Sequence, residues 1–516
     1  MTQLINTLKI GTLENYTTLT NDGNSLNVSD DIYVNSSKLA TIDEINSIKE
    51  RLDIADECLD NKIRKEGKTR TKNDSLFEKR ISALEMTGGP VGATGVFGGQ
   101  IQVGSAIPQN GSIAFSASFS TPPTVNIISG FPIQTPIGAI TTTNFVTNNL
   151  YTVASTTAND GLYTSLAVVD GYPAISYYDM SNFQLMFIRA TDTYGTSWGS
   201  PIVVDTLTSN TGLYTSLEVV NGNPAIAYYD ISVGDLRYIR ASNADGSVWP
   251  VPSASNTVSS FSGFLAPIVG LYASLAVVNG RPAIACQKLG LFSGGELVYI
   301  RSNDADGTSW PASLTIVDTV PSITGLYASL VVVNNQPAIS YFDFSNTQLK
   351  YVRSSDIDGA AWGSAQTIDT VGFTGSFTSL SIVNGRPAIA YLDTTNSNLN
   401  YIRANDISGI SWPTTPKIVD TNVGSLLLFT SLQFINSRPS ISYYDSTTGN
   451  LMYIAANDIL GNSWPTSSNV IDSPGDVGSF TSLADVNGLP GISYYDFSNG
   501  NLKYALVPTV TYIAFN

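Results

Sequence analysis

Histidine is absent from the 516 residues and cysteine occurs only twice. Without imidazole there is no Ser-His-Asp triad, no Cys-His dyad and no His-based metal site. Cys58 and Cys286 stand far apart and give no disulfide framework, which a chain of this size does not need. Charge is also scarce, at 13% of residues. No apolar run reaches the roughly 18 residues of a membrane-spanning helix, so membrane insertion is not expected. The opening MTQLINTLKIGTLENY has no basic stretch followed by an apolar core, and no secretion signal is read there. A role outside the cell then implies another route, such as release within an assembled particle.

What is present points to sheets and turns. Hydrophobic residues make up 42%, with 43 Gly and 24 Pro, a balance that suits an all-β protein of more than one domain. The net charge is −16, most of it carried after residue 88, so the chain should repel phosphate backbones and nucleic acid is not an expected partner.

One unit is written seven times. The Ser of a [TA]-S-L motif recurs as Ser165, Ser216, Ser274, Ser329, Ser379, Ser431 and Ser482, at spacings of 50–58 residues. Each copy opens on an aromatic (Tyr163, Tyr214, Tyr272, Tyr327, Phe377, Phe429, Phe480). An apolar run follows, then a turn usually written Asn-Gly or Asp-Gly, then a Pro. Such a turn between apolar runs predicts a tight hairpin, and Pro is tolerated where the next strand begins. A third run such as LRYIRA and a fourth such as PIVVDT complete four antiparallel strands, the size of one propeller blade. A lone blade would expose apolar side chains on both faces, and stacking copies in a ring buries them. All six Trp (Trp198, Trp249, Trp310, Trp362, Trp412, Trp464) enter the fourth strand and are read as packing residues between blades.

The seventh copy stops after three strands. YTVASTTANDGLYTSL (151–166) lines up with IVVDTLTSNTGLYTSL (202–217), so the strand near 151–155 should complete the last blade and close the ring. The expected fold is therefore all-β, a seven-bladed β-propeller of four-stranded blades over 151–508.

Ahead of it, 1–40 reads as a β-rich fibre or docking segment. Over 41–87, Ile45, Ile48, Leu52, Ala55 and Leu59, then Phe77, Ile81 and Leu84, read as an interrupted coiled-coil stalk, with a single surface helix as the alternative. Over 88–99, Gly89, Gly92, Gly95 and Gly98 keep a three-residue period, either a short collagen-like piece or a Gly linker. Strands in 100–150, joined by the leftover 509–516, would form a small β-sandwich head with the propeller inserted in it or following it.

This order of parts resembles a trimeric viral or phage fibre. FSTPPTVNIISG, ITTTNFVT and VTYIAFN are similar to the H-type-lectin-like heads of such fibres, from which this chain departs by splitting the domain around the propeller. The resemblance implies a homotrimer that recognises carbohydrate, with other virion proteins docked on the N-terminal segment and a place on the virion surface. The turn D-x-x-G-x-S-W, as in DTYGTSW and DADGTSW, resembles the Asp-box of sialidase-like propellers, which implies a structural rim turn.

A sialidase-type enzyme needs several Arg converging on a carboxylate and a Tyr-Glu nucleophile pair. Here Arg189, Arg240, Arg301, Arg353 and Arg403 repeat one position, and Glu218 and Glu296 are the only glutamates after residue 88. A non-enzyme is therefore expected, with no catalytic residues. DADG (304–307), DIDG (356–359) and NADG (243–246) begin like Ca²⁺ loops but lack the distal bidentate Glu. Polar turns are preferred, and a weak rim Ca²⁺ is the remaining cofactor candidate.

The ligand site is sought where strand two ends: Tyr178-Asp179, Tyr229-Asp230, Phe342-Asp343, Leu392-Asp393, Tyr444-Asp445 and Tyr495-Asp496, with Gln287-Lys288 breaking the pattern in the third copy. A carboxylate beside an aromatic suits sugar hydroxyls and a ring face, whereas Asp closing the next turn is the structural alternative. The functional expectation is a non-enzymatic virion fibre or spike that attaches to a host-surface glycan or other receptor. A glycan-cleaving propeller and a cellular lectin or adhesin are the alternatives.

Overall fold

A computed structural model describes residues 149–155, 159–205, 210–251, 257–259, 267–290, 294–319, 323–424 and 429–507, with the backbone of short strands before residue 130 and at Thr509–Val510. The chain divides into two units, Met1–Ser105 and Ala106–Asn516. In the first, Thr7–Thr12, Asn15–Asn21 and Leu26–Val28 form an antiparallel sheet, and Ile32–Val34 pairs with Ser37–Ala40. The coiled coil expected over 41–87 lies outside the described residues, as does most of 88–99.

In the second unit seven four-stranded antiparallel sheets follow one another. Blade 1 comprises Asp160–Val169, Tyr172–Asp179, Gln184–Arg189 and Ile202–Val203, and blades 2 to 6 repeat it. Blade 7 takes Val477–Val486, Leu489–Asp496 and Asn501–Leu506 from the end of the chain and its fourth strand, Asn149–Ala154, from before blade 1. The closing strands pair antiparallel, Leu506 against Asn149 and Leu502 against Ala154. The expected ring and its closure are therefore present. Thr509 and Val510 pair with Ser129 and Ile128, Gln100–Ile101 pairs back on Val96–Phe97, and Asn149 and Leu150, expected in the head, belong to the propeller's closing strand; the other residues of the head expected over 100–150 lie outside the described residues.

Each hairpin between strands one and two turns on two residues of positive φ, such as Asn221 (44°) and Gly222 (80°), the type I′ geometry that Asn-Gly favours. Blades 4 and 6 manage the same turn with Asn334-Asn335 and Asn436-Ser437.

Three interlocks between neighbouring blades explain the repeated words. The motif Ser accepts a hydrogen bond from the motif Leu N–H of the next blade at all seven junctions, from Leu217 N–H to Ser165 Oγ (3.0 Å) round to Leu166 N–H to Ser482 Oγ (3.1 Å). Beside it, a strand-two Ser meets a motif Thr at four junctions (Ser176–Thr215, Ser340–Thr378, Ser442–Thr481, Ser493–Thr164), while Ala227 and Ala285 are matched by Ala273 and Ala328. At those six junctions polar pairs with polar or apolar with apolar, and at the remaining one, where the pair is Ala390 and Thr430, Thr430 donates to Phe377 O instead, so no buried hydroxyl is stranded there.

The third interlock joins a strand-two Tyr to a strand-four Asp of the preceding blade: Tyr228–Asp205, Tyr341–Asp318, Tyr391–Asp369, Tyr443–Asp420 and Tyr494–Asp472. At the blade 2–3 junction both partners change together, to Cys286 and Ser259. Burial pushes the Cys286 thiol up to about 12, so it stays an inert thiol. At the closing junction only one partner changes: Ala154 occupies the Asp position, and among the described residues the buried Tyr177 hydroxyl has no hydrogen-bond partner.

Each Trp packs edge-on against the strand-three aromatic of the preceding blade, as Trp249 does on Phe187 and Trp310 on Tyr238, both at 5.2 Å between ring centroids. The expected packing role between blades is therefore what the rings do.

Candidate functional site

Strand two ends beside the start of strand one, Asp179 opposite Asp160, so both belong to one face of the ring. The hairpins and the Asp-box-like turns lie on the other face, where the chain also enters at Asn149 and leaves past Leu506.

On the first face the strand-two carboxylates are committed to their own turns. Asp179 is 2% exposed and accepts from Ser181 N–H (2.9 Å), Asn182 N–H (3.1 Å) and Asn182 Nδ2 (2.7 Å). Asp343, Asp393 and Asp496 cap the following Asn in the same way. Asp230 holds Ser232 N–H and Arg237, and Asp445 holds Thr447 N–H and Thr448. The aromatic partners are buried as well. Tyr178 donates to Asn210 Oδ1 (2.7 Å), Tyr444 to Asp476 Oδ1 (2.6 Å) and Tyr495 to Asn159 Oδ1 (3.0 Å); Tyr229 stands 6.4 Å from Tyr214 between ring centroids. In the third copy Gln287 donates to Thr324 O (2.8 Å), and Lys288 pairs across the strands with Glu296 (2.7 Å). These residues brace the face from within.

The residues they brace are the aromatics that open each motif. Tyr163, Tyr214, Tyr272, Tyr327, Phe377, Phe429 and Phe480 form a closed circle around the ring axis, each centroid between 4.2 and 5.1 Å from the next. A β-bulge puts them there: Leu162 pairs with Tyr178 and Ser165 with Ser176, so one extra residue is inserted between them. Tyr163 takes φ 54°, and its counterparts in every blade but the sixth lie within a few degrees of that. Holding a bulky residue in the left-handed region costs on the order of 1–3 kcal/mol, and such strain gathers at functional sites. Blade 6 begins its first strand only at Thr430, pairs without a bulge and supplies Phe429 in ordinary backbone. Sequence reading marked these aromatics as the start of the repeat without assigning them to the axis. The signal was the Gly two residues earlier in six of the seven copies.

The circle and the Thr or Ala that follows each ring line an open chamber of about 360 Å³, within the range of small-ligand sites. The five Thr hydroxyls are taken up by the neighbouring blade, as in Thr215 to Tyr163 O (2.9 Å) and Thr430 to Phe377 O (2.6 Å). Four phenol hydroxyls are left to offer polarity, those of Tyr163, Tyr214, Tyr272 and Tyr327, whose rings are consecutive around the circle. Burial above all raises the pKa of each, which keeps them neutral near pH 7. Blades 1 to 4 thus line one arc with hydroxyls, and blades 5 to 7 leave the opposite arc bare.

Groups suited to glycoside chemistry are elsewhere. Arg189 Nε and Nη2 donate to Val169 O and Asp170 O (both 3.0 Å), and Arg240, Arg301, Arg353 and Arg403 read the same hairpin carbonyls on the other face. The loops that begin like Ca²⁺ sites spend their carboxylates internally: Asp304 accepts from Asp306, Thr308 and Ser309 N–H. Among the described residues there is no cluster of three or more metal-ligating side chains, and no helix is long and apolar enough to cross a membrane.

Glu218 stands in the strand-one column whose other members are Ala167, Ala276, Val331, Ser381, Gln433 and Ala484. Burial pushes its carboxyl up, against one hydrogen bond from Val219 N–H (2.9 Å). A raised acid is held protonated more firmly in the fold than in the unfolded chain. Ionising it therefore costs stability as pH rises above the unfolded value, and the cost is complete above the folded one. Glu218→Gln, which copies Gln433, should raise the thermal midpoint near pH 7 and leave it unchanged near pH 3.5. A shift of equal size at both values would remove the charge as its cause.

No protein-family model matches the chain, and no curated protein matches it. Solved structures similar to it include sialidases, glycosidases and a lectin. A Hadza microbial sialidase is 13% identical with a TM-score of 0.40, over 68% of this chain, which spans 66% of the sialidase's length. The NanB sialidase from Streptococcus pneumoniae is 13% identical over 74% of this chain and 71% of its own, with a TM-score of 0.38. A mutant lectin from Aleuria aurantia in complex with Fucα1-6GlcNAc is 15% identical over 58% and 96%, with a TM-score of 0.35. Likeness at this level is confined to the fold.

Proposed function

We propose that this protein is a non-enzymatic attachment protein that holds glycan on the propeller face where each first strand begins. The observation that carries the reading is the closed aromatic circle, seven rings around an open chamber whose fourteen described lining residues include no carboxylate and no cation. Aromatic faces take up the apolar side of a sugar ring, while hydrolysis needs an acid and a nucleophile that this lining lacks. The turns on the same face carry Met180, Phe183, Ile231, Val233, Phe344 and Phe497 exposed, an apolar border of the kind that marks interaction surfaces. The chain enters and leaves by the opposite face, which suits a head held out on a stalk.

In this reading the chain is a fibre or spike of a virus particle. Residues 41–99 join three copies, 1–40 meets other virion proteins, and the propellers attach to a host-surface glycan. Three weak sites on one stalk would raise avidity by about 10²–10⁴ where geometry permits, so single sites need not be tight.

The test is a panel of immobilised neutral and sialylated glycans, read with the intact chain for retention and for released sugar, beside solution mass with and without residues 1–99. Retention without release, by a trimer that falls apart on truncation, is the expected result. Catalytic release would replace the reading with a glycan-cleaving enzyme, and a monomer in both forms would end the fibre assignment.

A further inference from the structure

The two arcs of the axial chamber differ at the ring itself, a phenol in blades 1 to 4 and a phenyl in blades 5 to 7, and that difference selects a ligand. We infer that the chamber takes a single uncharged pyranose that carries a methyl group, such as a 6-deoxyhexose or an N-acetylhexosamine, with its hydroxyls on the Tyr arc and its methyl on the Phe arc. The inference rests on the glycan-attachment reading and narrows it to one subsite and one class of sugar.

Charge is settled by the lining. Neutral phenols, phenyl rings, Thr and Ala offer no cation, and the protein is acidic overall at −16, so a sugar carboxylate or sulfate would be desolvated without a partner. Size fits as well, since about 360 Å³ accommodates one pyranose with a substituent. The ring hydroxyls are one-sided: the Thr hydroxyls are engaged by neighbouring blades, and the phenols that can donate to a ligand are those of Tyr163, Tyr214, Tyr272 and Tyr327. Across the axis Phe377, Phe429 and Phe480 offer carbon alone, which a bare hexose would meet with a hydroxyl and a methyl-bearing sugar with its methyl.

The experiment is calorimetric titration of the full chain with methyl glycosides of rhamnose, N-acetylglucosamine, glucose and N-acetylneuraminic acid. A methyl-bearing sugar should bind roughly tenfold or more tighter than the glucoside, the range one methyl gives in an apolar pocket. The acidic sugar should not bind. Replacing the hydroxyl arc (Y163F, Y214F, Y272F and Y327F together) should keep the fold, because three blades already carry Phe there, and should weaken the preferred sugar by roughly tenfold or more. Tyr214→Phe alone is the milder variant and should weaken it by a smaller factor. Equal binding of all three neutral sugars, a preference for the acidic one, or an undiminished affinity in the fourfold variant would overturn the inference. If no monosaccharide binds while glycan surfaces still retain the chain, this subsite assignment fails and the attachment reading stands. If neither binds, both fail.

Discussion

Gly375→Ala should cost about 2–6 kcal/mol, combining roughly 1–3 kcal/mol of strained backbone with a similar overpacking term. Gly375 sits at φ 106° two residues before Phe377, and a Cβ there would lie 2.7 Å from Leu349 Cα and 2.9 Å from Leu349 N. With Leu349 Cβ at 2.9 Å as well, all three atoms are fixed by the backbone of Leu349, so nothing can swing aside. Equivalent glycines meet the third-strand Leu of the preceding blade in the same way: Gly161 on Leu502, Gly212 on Leu185 and Gly478 on Leu451. Close approach of the bulge to that strand is what turns the aromatic to the axis. Ten residues on, Gly385 also has positive φ (76°), but a Cβ there would meet nothing within 4 Å. Gly385→Ala should cost about 1 kcal/mol from backbone preference alone. The check is the urea midpoint of each variant beside the parent, and equal shifts would mean that contact with Leu349 plays no part.

Removing a phenol hydroxyl should have opposite effects at two equivalent junctions. Tyr391 and Asp369 are both buried and joined at 2.7 Å, so Tyr391→Phe takes the donor from a buried carboxylate and should cost about 1–3 kcal/mol. Tyr177 occupies the same place in blade 1, fully buried and unpartnered because Ala154 stands where the other junctions have Asp. Tyr177→Phe should therefore leave stability unchanged or raise it by about 1 kcal/mol, since an unmatched buried hydroxyl loses its hydration without return. Denaturant midpoints decide the matter, and two losses of equal size would show that the closing junction finds Tyr177 a partner.

The blades were legible in the sequence because their strands are consecutive and their turns depend on a few residues with positive φ. Asn-Gly and Asp-Gly marked the hairpins, the six Trp marked the fourth strands, and the match of 151–166 to 202–217 marked the closure. The candidate site was less legible. Tyr178-Asp179 and its counterparts drew attention as aromatic-carboxylate pairs, but an Asp followed three residues later by Asn is also the signature of a capped turn, and the carboxylates serve that turn. The aromatics of the axis were plain in the repeat, yet their direction was not. A regular strand would alternate them between neighbouring blades, and a single inserted residue sends them inward instead. The Tyr–Asp interlock was hidden for another reason, since its partners lie 22 or 23 residues apart on different sheets and only the concerted change to Cys286 and Ser259 hints at it.

The closing strand also decides how the ring bears mechanical load. Asn149–Ala154 runs away from the face where the chain arrives, and its first residue pairs with Leu506 at that same edge. With the far side gripped by a ligand, a pull from the chain ahead of Asn149 acts along the strand, so its cross-strand bonds are sheared together and do not open one after another as a zip does.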